Sequence, residues 1–525
     1  MLVLGLDSST QSLTAIVLDL ASGTVVHQHS LNFDRDFPAY ETRNGVLPHA
    51  DPAVVHAPPL MWVEALDRIL SDLGTTVDLS QLGAIAGSAQ QHGTVYLNDQ
   101  FATTLADLQP EVALHQQCTT AFSRATAPVW MDSSTGVDCR AIDAALGGTG
   151  STQKITGSAA YPRFSGPQIR AFSRREPDAW TRTAHVRLVS SFLASILAGR
   201  LAPTDHSDGS GMNLMDLDRR QWHGPALDAV APDLARRLGL LCEPQNILGA
   251  IAPALAKRFG IASTCQIVAW SGDNPCSAIG LGLVRDGDCA MSLGTSDVLF
   301  AISRARPVMP AQGHTFISPT GDHMALFCFA NGSLARAAVK DAHGLDWAGF
   351  SAAIDRTPSG NDGRLMLPWF HPEIVPTVQR PGVVRVNFSA TDRDAECRAV
   401  VEAQCTSMRL RAHAAGIRPA RLRATGGAAQ NPAVLQIAAD VFQCPVTRSQ
   451  VTNTAALGAA IRAASAIQLT GGYPPSWQPL TSTWVEPLMD TAVQPRPALA
   501  SVYRRLADDY AALEAQTLKK ADPQT

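Results

Sequence analysis

Residues 2–18, LVLGLDSSTQSLTAIVL, open the chain with an apolar run, a polar turn and a second apolar run. We interpret Leu2–Leu6 and Leu13–Leu18 as strands, because short apolar runs bounded by turn residues are typical of strands. The backbone N–H groups of a tight Ser/Thr turn form a concavity that accepts phosphate oxygens, and the hydroxyls of Ser9 and Thr10 could add donors. The alternative is an ordinary hairpin that uses turn-prone residues.

The same pattern returns in residues 288–302, DCAMSLGTSDVLFAI. Asp288–Ser292 and Val298–Ile302 read as strands, joined by a turn that carries Thr295 and Ser296. A polar hairpin turn that occurs once in each half of the chain favours the phosphate-binding interpretation. It predicts two α/β domains of related plan that offer their turns to a shared cleft.

Strands alternate with helices elsewhere in the chain, which indicates an α/β layer structure. Arg421–Thr425 predicts a strand, and Asn431 with Pro432 predicts a helix start, since Asn is favoured at the N-cap and Pro at the first helical position. The 525 residues are too many for one ordinary core, so two domains are expected. An amphipathic helix is predicted from apolar residues that share one face, namely Trp62, Leu66, Ile69, Leu70 and Leu73.

The composition argues against several classes of protein. The chain has 42 basic and 46 acidic residues and a formal charge of −4, so no excess of positive charge favours a nucleic-acid partner. It contains no apolar run of about 18 residues, the length that a membrane helix needs, and its N-terminus lacks the basic lead-in of a secretory signal. Ten cysteines without a CxxC pair predict reduced thiols in a cytoplasmic protein and no zinc site.

Two further segments follow predicted strands. In residues 424–431, ATGGAAQN, two glycines would let a nucleotide approach the backbone before a helix N-terminus, and the pattern differs from the GxxxxGK[ST] of a P-loop. In residues 271–275, SGDNP, Asp273 stands at a strand end, where ligands bind in open α/β sheets. A carboxylate there suits phosphoryl transfer, in which the acceptor hydroxyl loses a proton. Alternatively, Asp273 and Asn274 only cap the following helix.

A small polyol would need convergent hydrogen-bonding groups and an aromatic edge. His92 has the best unaided case, because it lies in a polar turn directly after an apolar strand. The residues that could line such a space are His92, Trp130, Met131, Asp132, Arg163, Asp208 and Gly209. Each of them apart from His92 is more often a structural or surface group.

From Leu4 to Ala464 the chain resembles the FGGY family of carbohydrate kinases, and within it the D-xylulose kinases. The segments that separate these from glycerol and gluconate kinases are QQHG, WMDSST and SDGSGMN. The resemblance is carried by LGLDSSTQS (4–12), SAQQHGTVY (88–96), WMDSST (130–135), YPRFSGPQI (161–169), SDGSGMNL (207–214), SGDNP (271–275), SLGTSD (292–297), FANGSLAR (329–336) and ATGGAAQN (424–431).

This resemblance implies two ribonuclease-H-like domains around a cleft, the architecture of the actin and hexokinase group of ATPases. It implies an N-terminal, sugar-binding domain over residues 1–280 that contains the first phosphate loop. It also implies a C-terminal, nucleotide-binding domain over residues 281–470, followed by a tail at 471–525 to which no role is assigned. The expected enzyme uses ATP and Mg²⁺, binds neither nucleic acid nor membrane, and could form a homodimer.

The same resemblance implies roles for individual residues. Asp273 would be the catalytic base, and His92, Arg163 and Asn274 would help it to hold the ketose. Asp7 would lie near the metal and the phosphates, and Gly426 would shape the adenosine turn. The residues implied on the nucleotide and phosphate side are Asp7, Thr10, Thr295, Trp347, Gly426, Gly427, Ala428 and Asn431.

The expected reaction is therefore the ATP-dependent phosphorylation of D-xylulose. A first alternative is another FGGY kinase that acts on ribulose, gluconate or glycerol. A second alternative, from a different class, is an ATP-switched sugar sensor without catalysis. Asp273 argues against the sensor, since a sensor has no use for a base at the acceptor hydroxyl.

Overall fold

The structure is a computed structural model that describes residues 1–310, 312–472, 476–486, 489 and 492–521. It divides into two compact units, each made of segments that are not consecutive in the chain. The first unit comprises Met1–Val284, Phe316–Asp322 and Thr452–Pro487, and the second comprises Arg285–Thr315, His323–Val451 and Leu488–Thr525.

These units differ from the consecutive division at 1–280, 281–470 and 471–525, which stays a prediction. The difference arises because a helix near the end of the chain packs on the first sheet, and linear order does not show such a return. Within the predicted tail, residues 473–475, 487–488, 490–491 and 522–525 lie outside the described residues.

The strands of the first unit are β1 (Leu2–Ser8), β2 (Ser12–Asp19), β3 (Thr24–Asn32), β4 (His56–Ala57), β5 (Leu82–Ala89), β6 (Thr94–Leu97), β7 (Ala127–Pro128), β8 (His185–Leu188), β9 (Thr204–Asp205), β10 (Met215–Asp216), β11 (Gln221–Trp222), β12 (Leu241–Cys242), β13 (Ile247–Ala250), β14 (Gln266–Val268) and β15 (Ser271–Gly272). Its main sheet has the strand order β13-β14-β5-β1-β2-β3, and β15 also pairs with β5. Strands β1, β2 and β3 are antiparallel neighbours, whereas β5 runs parallel to β1 and β14 runs parallel to β5.

The remaining strands are β16 (Asp288–Leu293), β17 (Asp297–Ser303), β18 (His314–Ile317), β19 (His323–Phe329), β20 (Leu365–Leu367), β21 (Val384–Val386), β22 (Arg421–Thr425) and β23 (Val446–Arg448). The second sheet has the order β18-β19-β17-β16-β22-β23. Strands β16, β17 and β19 are antiparallel neighbours, and β22 and β23 continue the sheet in parallel from β16.

The two sheets therefore share one plan: a three-stranded antiparallel meander extended by parallel strands. This confirms the α/β class and both predicted hairpins. One detail differs, since β1 continues to Ser8, so Asp7 lies in the strand, opposite Thr14, rather than in the turn.

Helices cover the sheets of both units. The predicted amphipathic helix is confirmed as α2, because its five predicted apolar residues are fully buried. The helices of the first unit are α1 (Phe33–Asp36), α2 (Pro59–Leu73), α3 (Gln100–Ala106), α4 (Leu114–Cys118), α5 (Gly136–Ala145), α6 (Ser151–Thr156), α7 (Ser165–Arg175), α8 (Pro177–Arg182), α9 (Val189–Ala198), α10 (His206–Gly209), α11 (Gly224–Val230), α12 (Leu234–Leu238), α13 (Pro253–Phe259), α14 (Asp273–Gly280), α19 (Thr454–Thr470) and α20 (Trp477–Trp484), and those of the second are α15 (Ser333–Ala342), α16 (Trp347–Asp355), α17 (Arg393–Ala414), α18 (Pro432–Phe442) and α21 (Ala500–Ala521).

The start of α18 follows the predicted chemistry. The side chain of Asn431 accepts hydrogen bonds from the N–H groups of Ala433 and Val434, and Pro432 is the first helical residue. All ten cysteines are free thiols, and most of them are buried. None of the helices within the described ranges is both long and apolar enough to cross a bilayer.

Glycines let α19 lie unusually close to α14 and β1. A Cβ atom on Gly458 would stand 1.8 Å from the carbonyl oxygen of Cys276 in α14, and one on Gly280 would stand 1.9 Å from the carbonyl oxygen of Thr454. A Cβ atom on Gly5 of β1 would come within 2.3 Å of the α19 backbone. Because α14 begins at Asp273, this packing also fixes where that carboxylate stands.

We expect Gly458→Ala to lower the free energy of unfolding by about 1–3 kcal/mol or more, because the added methyl meets backbone that cannot rotate away. Gly224→Ala is the matched control, since a Cβ atom there has nothing within 4 Å. Chemical denaturation of both variants measures the difference. Equal stability of the two would contradict the close-packed contact.

Candidate active site

The register of the first sheet aligns polar residues at the ends of three strands. Asp7 of β1 pairs with Ser88 of β5, and Ser88 pairs with Ser271 of β15. All three strands run in the same direction, so their carboxyl ends share one edge of the sheet. That edge is where open α/β sheets bind ligands, and Asp273 follows directly at the start of α14.

The carboxylate of Asp273 is held by one of its two oxygens. Its Oδ1 accepts hydrogen bonds from the backbone N–H of Asn274 at 2.8 Å, from Asn274 Nδ2 at 3.0 Å and from the backbone N–H of Gln91 at 3.3 Å. Asn274 Nδ2 also donates to Gln91 Oε1 at 2.9 Å. Within the described part of the chain Oδ2 has no such partner, so one oxygen orients the group and the other is available for chemistry.

Two carboxyls of this site have raised proton affinity. Burial, followed by the negative charge of Asp7, raises the pKa of Asp273 to about 7. Burial likewise raises the pKa of Asp7 to about 6, and Asp7 Oδ1 is buried without a hydrogen-bond partner among the described residues. A carboxyl with a pKa near neutrality can both accept and release a proton under physiological conditions.

Several buried polar atoms of the first unit lack a partner in the described parts of the chain. Gln90 is almost fully buried, yet both its Oε1 and its Nε2 are unpaired, and Gln91 Nε2 is unpaired as well. Buried polar groups are nearly always hydrogen-bonded in native proteins. A ligand with many hydroxyl groups would satisfy these donors and acceptors.

His92 is fixed in one orientation and one protonation state. Its Nδ1 lies 2.7 Å from the carbonyl oxygen of Gly211, so Nδ1 carries the proton and Nε2 is left as an acceptor. The ring stacks on Phe164 with centroids 4.2 Å apart, and burial, with the charge of Arg163, lowers its pKa to about 3. The backbone has φ 72°, which few non-glycine residues adopt and which is often found at functional sites.

Arg163 is a cation that pairs with no carboxylate of the described residues. Its guanidinium lies 4.6 Å from the ring centroid of Tyr161, and its Nε is buried and unpaired. No ion pair or hydrogen bond joins Arg163 to the described residues, so its donors can serve a ligand. The structure thus brings Asp273, Asn274, His92 and Arg163 into the first unit as the sequence predicted, while their roles stay predictions.

Asp132, which the sequence suggested for the sugar side, is fully used within the protein. Its oxygens accept from the N–H groups of Val55 and Ser134 at 2.9 Å and from Gln168 Nε2 at 2.8 Å. Although burial opposes ionisation, hydrogen bonds from His56 and these neighbours hold the pKa of Asp132 below its usual range. Asp132 therefore anchors its loop and has little capacity left for a sugar.

Asp208, another residue that the sequence suggested for the sugar side, lies inside the first unit. It is buried, its Oδ2 accepts from Ser190 Oγ at 2.5 Å and its Oδ1 has no partner among the described residues. Burial and the charge of Asp205 raise the pKa of Asp208 well above its usual range.

The first polar turn uses its two hydroxyls differently. Ser9 Oγ donates to the carbonyl oxygen of Ser12 at 3.0 Å and so closes the turn internally. Thr10 Oγ1 instead accepts a hydrogen bond of 2.8 Å from Trp130 Nε1.

The second unit contains a separate cavity of about 660 Å³. It collects Thr295 from the second polar turn, Trp347 from α16 and the start of α18. A Cβ atom on Gly426 would stand 2.5 Å from the carbonyl oxygen of Leu293, and its φ of 89° also requires glycine, which explains the Gly-Gly turn. The predicted nucleotide-side residues that line this cavity are Thr295, Trp347, Gly427, Ala428 and Asn431.

Trp347 and Arg336 define two parts of this cavity. The indole of Trp347 is about half exposed, and it packs edge-on against Phe350 with ring centroids 5.7 Å apart. Arg336, which the sequence analysis did not identify, makes a buried bidentate pair with Asp297 at 2.7 and 2.9 Å, directly after the second turn. The sequence does not show that Arg336 is a buried ion-pair partner, because Asp297 lies 39 positions away.

The residues fit a magnesium ion only together with phosphates. No cluster of three or more His, Cys, Asp or Glu side chains suited to a metal occurs in the described ranges. Mg²⁺ commonly takes one or two carboxylates and completes its shell with substrate phosphates and water. Asp7, with its unpaired Oδ1, can supply such a carboxylate.

Comparisons of the sequence with known proteins match this chain to one family. The sequence profile of the FGGY family of carbohydrate kinases, N-terminal domain, matches residues 123–280, and the C-terminal domain profile matches residues 289–467. Xylulose kinase of Rattus norvegicus is 39% identical over 528 residues, covering 99% of this chain and 97% of that protein. Xylulose kinase 2 of Arabidopsis thaliana is 38% identical over 489 residues, covering 88% and 87%.

Solved structures share the fold. Xylulose kinase from Rhodospirillum rubrum superposes with a TM-score of 0.83 at 22% identity, covering 99% of this chain and 100% of that one. At that level of identity, the likeness shows the architecture alone.

We expect Asp273→Asn to raise the stability of the protein at pH 8. The folded-state pKa of Asp273 lies above its ordinary value of 3.8, so ionisation costs stability, and the cost grows as the pH rises from about 4 to about 7. At about 1.4 kcal/mol per tenfold change in proton affinity, the cost is up to about 4 kcal/mol.

Denaturant unfolding of wild type and Asp273→Asn between pH 4 and pH 8 measures this cost. The advantage of the variant should be present at pH 8 and should vanish near pH 4. A variant that is less stable than wild type at pH 8 would show that the charge of Asp273 is compensated in the fold.

Proposed function

This chain belongs to the FGGY family of carbohydrate kinases, and from that premise we propose that it transfers a phosphoryl group from ATP to D-xylulose. The products are ADP and D-xylulose 5-phosphate. The substrate is supported by relatives named xylulose kinase that align along nearly the whole chain.

The observation that carries the proposal is the state of Asp273. One oxygen of its carboxylate is anchored by Asn274 and by the backbone of Gln91, and the other accepts no hydrogen bond from the described residues. With a pKa of about 7, the group is a base matched to physiological pH. This is the group that phosphoryl transfer to a hydroxyl requires from a protein.

In the proposed mechanism, Asp273 Oδ2 accepts the proton of the terminal sugar hydroxyl as that oxygen attacks the γ-phosphorus of ATP. The new P–O bond forms as the bond to the β-phosphate oxygen breaks, and ADP leaves with the electron pair. His92 Nε2 accepts a hydrogen bond from another sugar hydroxyl, and Arg163 donates to the sugar oxygens. Asn274 holds the base and also borders the sugar.

On the nucleotide side, we propose that the cavity of the second unit receives the adenosine of ATP. Gly427, Ala428 and Asn431 contact the nucleoside, and Trp347 offers its exposed ring to the base. Thr295 lines the same cavity and can donate its hydroxyl to the γ-phosphate. Thr10 of the first turn would be a second phosphate donor.

Asp7 would hold Mg²⁺ together with the phosphates. When bound, the ion neutralises phosphate charge during transfer. A homodimer and a cytoplasmic location remain predictions.

We expect the highest kcat/KM with D-xylulose in an assay that couples ADP release to a measured signal. The panel should contain D-xylulose, ribulose, gluconate and glycerol at matched concentrations, with ATP and Mg²⁺ present. A preference for one of the other three would move the chain to another kinase of the family. Absence of sugar-dependent ADP formation with every compound would favour the sensor alternative.

We expect Asp273→Asn to lower kcat by about 10²–10⁴-fold, the usual contribution of a positioned base. The binding of D-xylulose should persist, because Asn keeps the oxygen that accepts from Asn274 and Gln91. Steady-state kinetics and calorimetric titration with D-xylulose separate the two effects. Turnover within a few-fold of wild type would assign the base to another group.

A further inference from the structure

Trp130 forms a contact that its exposure does not predict. Its side chain is 40% exposed, yet its indole Nε1 donates a hydrogen bond of 2.8 Å to Thr10 Oγ1. The two residues are 120 positions apart in the sequence. One belongs to the WMDSST segment, which the sequence places on the sugar side, and the other belongs to the first phosphate turn.

This contact determines what the Thr10 hydroxyl can do. A threonine hydroxyl has one proton to donate and two acceptor positions, whereas an indole N–H can only donate. Trp130 therefore occupies an acceptor position of Thr10 and leaves its proton free for another acceptor. Ser9 in the same turn spends its proton on the carbonyl oxygen of Ser12, so it is not equivalent.

A hydrogen-bonded turn constrains the backbone of Trp130. The N–H of Asp132 donates to the carbonyl oxygen of Val129 at 2.9 Å, which closes a turn around Trp130. The buried carboxylate of Asp132 then ties this turn to Val55, Ser134 and Gln168. A side chain on so constrained a loop can hold its partner with little loss of entropy on binding.

A neighbouring loop packs closely against the backbone of Thr10. Gly45 has φ 77°, and a Cβ atom there would stand 1.8 Å from the carbonyl oxygen of Thr10. Asp34 keeps this loop in place by accepting from the N–H of Gly45 at 2.9 Å and from Thr42 Oγ1 at 2.7 Å. Thr10 thus has a fixed backbone and a hydroxyl whose direction is set by Trp130 alone among the described residues.

We propose that Trp130 is a positioning residue that directs the Thr10 hydroxyl as a donor toward a phosphate oxygen of the nucleotide. The inference rests on the proposed function, in which Thr10 contacts phosphate. It assigns the polar edge of Trp130 to the phosphate side, in addition to any contact its ring makes with the sugar. An anionic oxygen is the acceptor that this geometry favours, because hydrogen bonds to charged acceptors are about twice as strong as neutral ones.

The test compares Trp130→Phe, which removes the N–H donor and keeps an aromatic ring, with Thr10→Val, which removes the hydroxyl. Trp130→Phe should lower kcat/KM for ATP by about 3- to 10-fold, the value of one oriented hydrogen bond, and should leave KM for D-xylulose unchanged. Thr10→Ser keeps the hydroxyl and should retain most of the wild-type kcat/KM for ATP. Trp222→Phe is the matched control, because Trp222 Nε1 donates to the carbonyl oxygen of Gly239 at 2.8 Å, in a contact with no part in the site.

The double variant identifies the route of the effect. If Trp130 acts through Thr10, Trp130→Phe with Thr10→Val should be no worse than Thr10→Val alone. Additive losses, an unchanged kcat/KM for ATP in Trp130→Phe, or a loss confined to KM for D-xylulose would each overturn the inference. An unchanged kcat/KM for ATP in Thr10→Val would instead overturn the phosphate role of Thr10, while the substrate panel tests D-xylulose independently.

Discussion

The first unit depends on a backbone-to-backbone contact between α19 and the sheet. Small residues along α19 let it approach β1 and α14 so closely that Gly5, Gly280 and Gly458 have no room for a side chain. At the same place Arg462 of α19 is fully buried and donates to the carbonyl oxygens of Gly87 at 3.1 Å and Ala269 at 2.7 Å. These carbonyls lie near the ends of β5 and β14, so one arginine donates to buried backbone oxygens of both strands' ends.

The same contact organises the charges of the site. Arg462 lies 3.7 Å from Asp205 Oδ2, so this cation pairs with Asp205 rather than with Asp273. Asp205 in turn accepts from the N–H of Asp208, and the negative charge of Asp273 helps to raise the pKa of Asp208. A cation in direct contact with Asp273 would lower its pKa and weaken it as a base. Because Arg462 pairs with Asp205 instead, the buried cation is compatible with both a stable fold and a raised pKa of Asp273. Such compromises between stability and activity are common.

Local chemistry in the sequence predicted the elements that local chemistry determines. Both hairpins, the buried face of α2, the Asn431 cap and the position of Asp273 at a strand end follow from patterns within about ten residues. The partners of those elements do not. Nothing near residue 454 shows that α19 returns to β1, and nothing in WMDSST shows that Asp132 is saturated while Trp130 reaches Thr10. Such pairings depend on which surfaces meet after the chain has folded, so a pattern predicts that Asp132 is polar and buried but not what it bonds.

The two polar turns show that one local motif can be supported by different interactions. In the first, Ser9 closes the turn and Trp130 orients Thr10 from outside. In the second, Thr295 is exposed, and the buried pair of Asp297 and Arg336 lies at the end of the turn. A turn whose hydroxyl accepts a hydrogen bond can be tuned for one direction of donation, whereas a turn supported by a side-chain pair at its end leaves the hydroxyl free to rotate. The repeated plan therefore specifies where the turn hydroxyls stand, and the surrounding side chains specify how precisely each one points.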